Sequence, residues 1–287
     1  MGPAVTVEEV TGGKARTRFT ELPAALHGED PRFAWPVMAW ERYRLDPHRN
    51  PFFEAGDARY FLARQRGRPV GRITAQMAAR GAEGRFGFWS VIDDDAVAEA
   101  LLDVARAWLA SQGCTSMEGP WSFTEAEEVG VLAEGFDAPG LTGRSWSPPH
   151  EAALLVAAGL VPGDERPTWR LPAADTGVVR APSEDVPGHA GIHADRRLVL
   201  DGIAAAPDLS AALRGARVRQ AWALAKRARA RDWGTCTVVR LDADPAAAVP
   251  ALQAAAHHAG YTTVIAPWSP DPTELPETVH RTYRLDF

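Results

Sequence analysis

The hydrophobic pattern along this chain becomes regular near Arg59. Tyr60-Phe61-Leu62-Ala63 is an apolar run of strand length, and Gly67-Arg68-Pro69 carries turn chemistry. Val70-Gly71-Arg72-Ile73-Thr74-Ala75 follows as its hairpin partner, and Arg85–Ile92, rich in aromatic and β-branched residues, gives a third strand. The period then changes. Val97, Leu101, Val104, Ala105 and Trp108 recur at helical spacing and predict a helix over Asp95–Gln112. Asp93, Asp94 and Asp95 supply its cap and a negative first turn, and Gly113 its stop. Cys114–Glu118 is a short strand. The order β-β-β-α-β predicts a mixed sheet with a crossover helix.

Gly119–Pro149 holds no long periodic segment beyond a short helix expected over Glu125–Leu132, and it is too long for a simple connector. A helix over Pro149–Ala158 closed by Gly159, and a strand at Thr168–Leu171, complete the first part. Pro172–Gly188 reads as a connector. Beyond it, Leu209–Arg231 reads as one long helix whose seven basic side chains lie on a solvated face. Strands at Thr235–Leu241, Tyr261–Ala266 and Thr278–Phe287, with a helix over Pro245–Ala259, give an α/β second half.

An internal repeat links the two parts. Gly113–Ser122 resembles Gly260–Ser269 at an offset of 147, and Thr168-Trp169-Arg170-Leu171 resembles Thr282-Tyr283-Arg284-Leu285 at an offset of 114. The expected organisation is a first unit over 1–172, a linker over 173–190, and a second, trimmed half over 191–287.

Composition narrows the class. The 287 residues are 46% hydrophobic and 24% charged, ordinary for a globular chain with a substantial core. A formal net charge of −6 argues against nucleic acid as a partner. No apolar run is long enough to span a membrane, and the N-terminus lacks the pattern of a signal peptide. Two cysteines, Cys114 and Cys236, build no disulfide framework and point to a reducing, cytoplasmic setting.

Several stretches resemble the GNAT acyltransferase superfamily, and in particular a bacterial group of related proteins of unassigned chemistry. They are Asn50-Pro51-Phe52-Phe53, Tyr60-Phe61-Leu62-Ala63-Arg64, Val70-Gly71-Arg72-Ile73, Gly87-Phe88, Gly119-Pro120-Trp121-Ser122-Phe123 and Gly135-Phe136-Asp137. The resemblance covers about Arg18–Leu171. It implies an α/β fold, a GNAT-like mixed central sheet with flanking helices, and the internal repeat extends this to a duplication, with a second trimmed GNAT-like half. It also implies acyl transfer from acetyl-CoA or another acyl-CoA. Two departures bear on that donor. Where the superfamily has an (Arg/Gln)-x-x-Gly-x-(Gly/Ala) pyrophosphate loop, this chain has Asp93-Asp94-Asp95-Ala96-Val97-Ala98, whose carboxylates repel a phosphate. Where many members place a proton-donating Tyr, this chain has Leu155, so the sequence assigns no cofactor.

Candidate chemistry concentrates in Gly119–His150. Trp121, Phe123 and Trp146 are suited to wall a small-molecule pocket, and Ser122 and Arg144 to orient polar groups in it. Arg72, mid-strand beside Gly71, either makes a structural ion pair or faces an anion. Glu118 or Glu128 is the expected base for an amine substrate, with His150 as an acid. Adjacent loops and helices offer no convincing metal site: His189 and His193 lie among glycines, and His257 and His258 point to different helix faces. Two readings stand: a divergent acyltransferase or small-molecule tailoring enzyme acting on an amine, and a scaffold that has lost acetyl-CoA and binds a ligand or partner without turnover.

Overall fold

The computed structural model describes residues 3–36, 38–78, 83–123, 127–141, 144–172, 181–182, 214–218, 221–229, 232–241 and 249–287, apart from 251–252, 255, 258–261, 267–268 and 270. Strand β1 (Val5–Glu9) leads into helix α1 (Gly13–His27), helix α2 (Met38–Arg44) and a 3-10 turn at Pro51–Glu54. The predicted hairpin is β2 (Asp57–Gln65) and β3 (Arg68–Met77), followed by β4 (Gly84–Val91). Helix α3 (Asp95–Ser111) buries Val97, Leu101 and Ala105 of the stripe expected from helical spacing, together with Leu109, while Val104 and Trp108 are half-buried. Then come β5 (Ser116–Gly119), β6 (Val131–Glu134), α4 (Pro149–Ala157) and β7 (Val161–Pro172).

The second part contributes β8 (Ala181–Pro182), β9 (Arg214–Val218), β10 (Ala221–Arg229), β11 (Asp232–Leu241), β12 (Thr263–Ala266) and β13 (Thr278–Asp286). Two expected helices are corrected here. Most of Leu209–Arg231 forms the antiparallel β9–β10 pair, not a basic helix. Its alternation of small and long residues fits either period, and pairing across the sheet selected the strand. Within Glu125–Leu132, Val131 and Leu132 belong to β6 and pair with β13, and Val129 bridges Trp121. A distant strand supplied that segment's hydrogen bonds, which local propensity cannot register. Ala181–Pro182, inside the expected linker, is a strand paired to β9.

The strands form one mixed sheet in the order β1-β2-β3-β4-β5-β13-β7-β12-β11-β10-β9-β8, with β6 pairing β13 beside that path. Matching β1–β5 and β7 to β8–β12 and β13 makes the order read alike from both ends. The register follows the sequence repeat: Met117 and Glu118 face Leu285 and Arg284, while Val264 and Ile265 face Leu171 and Arg170. Both β5 and β12 have a parallel neighbour on one side (β4 and β11) and an antiparallel one on the other. The centre of the sheet is the β7–β13 pair, so the last strand of the chain lies against β5 of the first part.

The main core lies under α3, where Phe61, Ile73, Phe86, Leu101, Leu109, Met117 and Leu155 are buried together. Leu155, in place of a proton-donating Tyr, is fully inside this core. A second cluster on the other face of β2–β4 joins Phe19, Tyr60, Leu62, Phe88 and Phe123.

Candidate functional site

Strands β4 and β5 pair for only a short distance. Their parallel ladder joins Gly84 to Met117 and Arg85 to Glu118, and the Trp121 N–H then donates to the Phe86 carbonyl at 2.7 Å. Beyond this point β4 bends. Its register with β3 passes from Thr74↔Gly87 to Arg72↔Ser90, which places one extra residue on β4. Phe88 absorbs the extra residue at φ 49, the local bend of a bulge. The chain after β5 turns away through Pro120, which has no N–H to offer the ladder.

Helix α4 closes the far end of the gap. The Val91 N–H donates to Glu151 Oε1 at 3.0 Å, and the Val91 carbonyl accepts from His150 Nε2 at 2.9 Å. His27 Nε2, at the end of α1, lies 3.0 Å from Ser90 Oγ and 3.6 Å from Glu151 Oε1, with Trp146 edge-on to its ring.

Between these limits lies a cleft of about 60 Å³, bordered by Glu41, Arg72, Ser122, Glu128, Arg144 and Trp146 among others. That space admits a few waters or one small polar head group.

One wall holds an unusual charge cluster. Glu41 and Arg44 stand at i,i+3 on α2, and Arg44 reaches Glu41 at 2.6 Å, Glu127 at 3.0 Å and Glu128 at 2.9 Å. Three carboxylates thus share one guanidinium, with Arg44 itself 1% exposed. Burial drives the Glu127 carboxyl up to about 8, against the pull of Arg44, so Glu127 holds a proton at neutral pH. Burial also raises Glu41. Glu128 is pushed up by burial, but Arg44, Arg72 and the Ser122 hydroxyl, 3.3 Å away, outweigh it and hold the group below its ordinary value.

Arg72 projects from β3 into the same space, 5% exposed. Its Nη1 donates to the Phe19 carbonyl at 2.9 Å. That carbonyl has no helical donor because Pro23, four residues on in α1, lacks an N–H. No carboxylate lies within ion-pair distance of Arg72 among the described residues, and burial lowers its pKa to about 10. At the other end of the cleft, burial and then the neighbouring Arg166 lower Arg144 to about 10. His280, whose Nε2 donates to the Ser145 carbonyl at 2.8 Å, is lowered to about 4 by burial and by Arg144.

No family model matches the chain. It is 40% identical over 149 residues to the bacterial ceramide synthase of Caulobacter vibrioides, covering 50% of this chain and 39% of that protein. It is 32% identical over 163 residues to protein YghO of Escherichia coli, covering 55% and 42%. The chain therefore spans about two-fifths of the length of these curated relatives. Among solved structures, a tandem GNAT protein from the clavulanic acid biosynthesis pathway aligns over 99% of this chain and 98% of its own, with a TM-score of 0.60 at 12% identity. The chain has the GNAT fold.

Within that GNAT fold the expected site residues divide. Arg72, Ser122, Glu128, Arg144 and Trp146 border the cleft. Glu118 is not brought there: it lies in the ladder opposite Arg284 of β13 and Arg85 of β4, because β5 is still paired at that point. His150 is also drawn elsewhere, since the exposed edge of β4 takes its ring nitrogen. Trp121 is buried beneath the guanidinium groups of Arg85 at 4.1 Å and Arg166 at 5.0 Å. Phe123, at φ 69, packs on Phe52, Phe53 and Phe88. Sequence reasoning missed Glu41, Arg44, His27 and Glu151. Only the Glu41/Arg44 spacing offered a signal, and an i,i+3 acid–base pair is ordinary on an exposed helix.

The loop expected to cradle a pyrophosphate does not fit one. Asp94 Oδ1 already accepts from the N–H groups of Ala96 at 3.0 Å and Val97 at 3.3 Å, and Gln65 Nε2 donates to its other oxygen at 2.8 Å. A carboxylate occupies the donors that a phosphate needs, so the α3 N-terminus is a capped helix start. Among the described residues no group of His, Cys, Asp and Glu could hold a metal ion, and no helix is long and apolar enough to cross a membrane.

Proposed function

We propose that this chain transfers an acyl group to an amine held in the cleft between β4 and β5. The observation that carries this reading is the set of desolvated carboxylates gathered on Arg44 beside an Arg72 that has no carboxylate partner. An amine reaches the site as an ammonium ion, and the ionised Glu128 with the Ser122 hydroxyl is suited to receive it. The ammonium must lose a proton before its nitrogen attacks. Glu41, raised by burial and lining the cleft, is better matched to take that proton than Glu128. The new N–C bond then forms at the acyl carbon, and negative charge gathers on the acyl oxygen, where the Arg72 guanidinium stabilises it. The bond to the leaving group breaks as the nitrogen gives up its second proton and the leaving group takes one up. Partial likeness to a protein named bacterial ceramide synthase supports amide formation, since a ceramide is an N-acyl compound.

The test is direct. Purified protein incubated with octanoyl-CoA or an octanoyl carrier protein and a panel of amines yields amide detectable by mass spectrometry. Glu128→Gln and Glu41→Gln each lower the rate by about 10²-fold or more. Absence of amide with both donors, or full rates in both variants, removes the reading.

A second reading is favoured by one observation, the Asp94 carboxylate on the α3 amides: the protein binds a small ligand or partner without turnover. It expects acetyl-CoA to bind more weakly than about 1 μM, short of about −8 kcal/mol. We also read residues 1–172 and the chain from β8 (Ala181–Pro182) onward as two copies of one GNAT-like unit, on the strength of the mirrored strand order. Two cysteines suit a cytoplasmic setting, with a small-molecule substrate as the partner.

A further inference from the structure

The two guanidinium groups of the cleft are not equivalent. Arg72 feels the opposite charges of Glu41 and Glu128 most strongly, though neither is within ion-pair distance. Arg144 does not. It lines the cleft and is half-buried, and no described residue gives its side chain a hydrogen bond or an ion pair. The charge it feels is another cation, Arg166 on β7, whose Nε is buried without a partner. His280 of β13, which also feels Arg144, is neutral near pH 7 and adds no counter-charge. The cleft is therefore polarised: Glu41 and Glu128 act on Arg72, Glu151 is engaged by the Val91 N–H, and Arg144 lines the cleft with no anionic partner among the described residues.

Holding a guanidinium partly out of water with no anion costs free energy, and a like charge beside it raises the cost. Both costs are relieved by a bound anion, which Arg recognises in bidentate fashion. The Arg144 N–H donates to the Leu141 carbonyl at 3.1 Å, and His280 holds the Ser145 carbonyl. We propose that Arg144, with Arg166 beside it, forms an anion subsite, so that the amine acceptor is a zwitterion carrying a carboxylate or a phosphate close to its amino group. The ammonium of such a molecule faces Glu128 while its anion faces Arg144. This assignment rests on the acyl-transfer reading for the identity of the acceptor, and on the charge distribution for the subsite.

Calorimetry with stable product analogues tests the subsite without turnover. The probes are N-octanoylglycine against N-octanoylglycinamide, and N-octanoyl-O-phosphoethanolamine against N-octanoylethanolamine. At least one anionic member binds about tenfold or more tightly than its neutral twin. The preference falls to about twofold or less in Arg144→Gln and survives in part in Arg144→Lys, a cation of the same sign without the fork. Which pair shows it separates carboxylate from phosphate. Equal binding within both pairs, binding of none of the four, or a preference that persists in Arg144→Gln overturns the subsite. Amide formation is read separately with glycine and O-phosphoethanolamine as acceptors. An anion preference without any amide keeps the subsite and removes acyl transfer. Amide formed as readily from ethanolamine and glycinamide as from both zwitterions keeps acyl transfer and removes the subsite.

Discussion

Glu151 of α4 accepts the backbone N–H of Val91 at 3.0 Å, across the edge of β4 that the parting of β4 and β5 leaves bare. Burying an unpaired N–H is costly, so this side chain replaces the missing ladder partner.

Replacing Glu151 with Ala strips the Val91 N–H of its acceptor in a site that is 1% exposed. The expected loss is about 1–3 kcal/mol in urea unfolding. Glu151→Gln keeps a carbonyl oxygen in place and loses less. Equal stability of the alanine variant and the wild type would show that the bond contributes nothing.

The Glu127 carboxyl gives a pH signature of known sign. Its folded value of about 8 lies above the ordinary 4.5, so its contribution is full below 4.5 and is lost as pH rises toward 8. His280 acts the other way, since its folded value of about 4 lies below 6.5 and stability is lost as pH falls through that window. The two oppose each other between 4.5 and 6.5, and Glu127 acts alone of this pair between 6.5 and 8. Stability therefore declines with pH across 6.5–8 in the wild type and declines less in Glu127→Gln. Parallel curves for the two proteins over that window refute the assignment.

Gly87 allows β4 to pass the chain after β5. A Cβ there would stand 1.6 Å from the Trp121 carbonyl oxygen, a backbone atom tied to β4 by the Trp121–Phe86 hydrogen bond. Gly87→Ala is expected to cost about 4 kcal/mol or more, with failure to accumulate as folded protein. A soluble variant with an unchanged melting temperature would show that the strands part without cost.

Strand β13 covers the edges of β5, β6 and β7 at once. Removing residues 278–287 bares those edges and takes the buried Val279 and Tyr283 out of the core. Circular dichroism should show loss of a cooperative melting transition in the whole chain. A truncated protein that melts as sharply as the full chain would show that the first part closes its sheet without β13.

The strand pattern of the first part was open to sequence reasoning because its information is local. Tyr60–Ala63, Val70–Ala75 and the Val97–Leu101–Ala105 stripe each bury a face whose period can be counted, and Asp94 caps the helix it precedes. The repeat was also legible as a similarity between segments, whereas the register in which Glu118 meets Arg284 and Ile265 meets Arg170 was set by the sheet. The lining of the cleft was legible in part. Arg72, Ser122, Glu128, Arg144 and Trp146 stood out as polar or aromatic residues where a plain connector needs none, and the cleft collects them. Tertiary structure alone decided the rest. Arg44 meets Glu127 and Glu128 across 83 and 84 residues of chain, and Glu151 meets Val91 across 60. No periodicity encodes such contacts, because the edge of β4 and the wall beneath Arg72 exist only once the strands have parted. The same cause moved His150 from expected acid to backbone partner: an open strand edge outbids a cleft for the nearest hydrogen-bonding side chain.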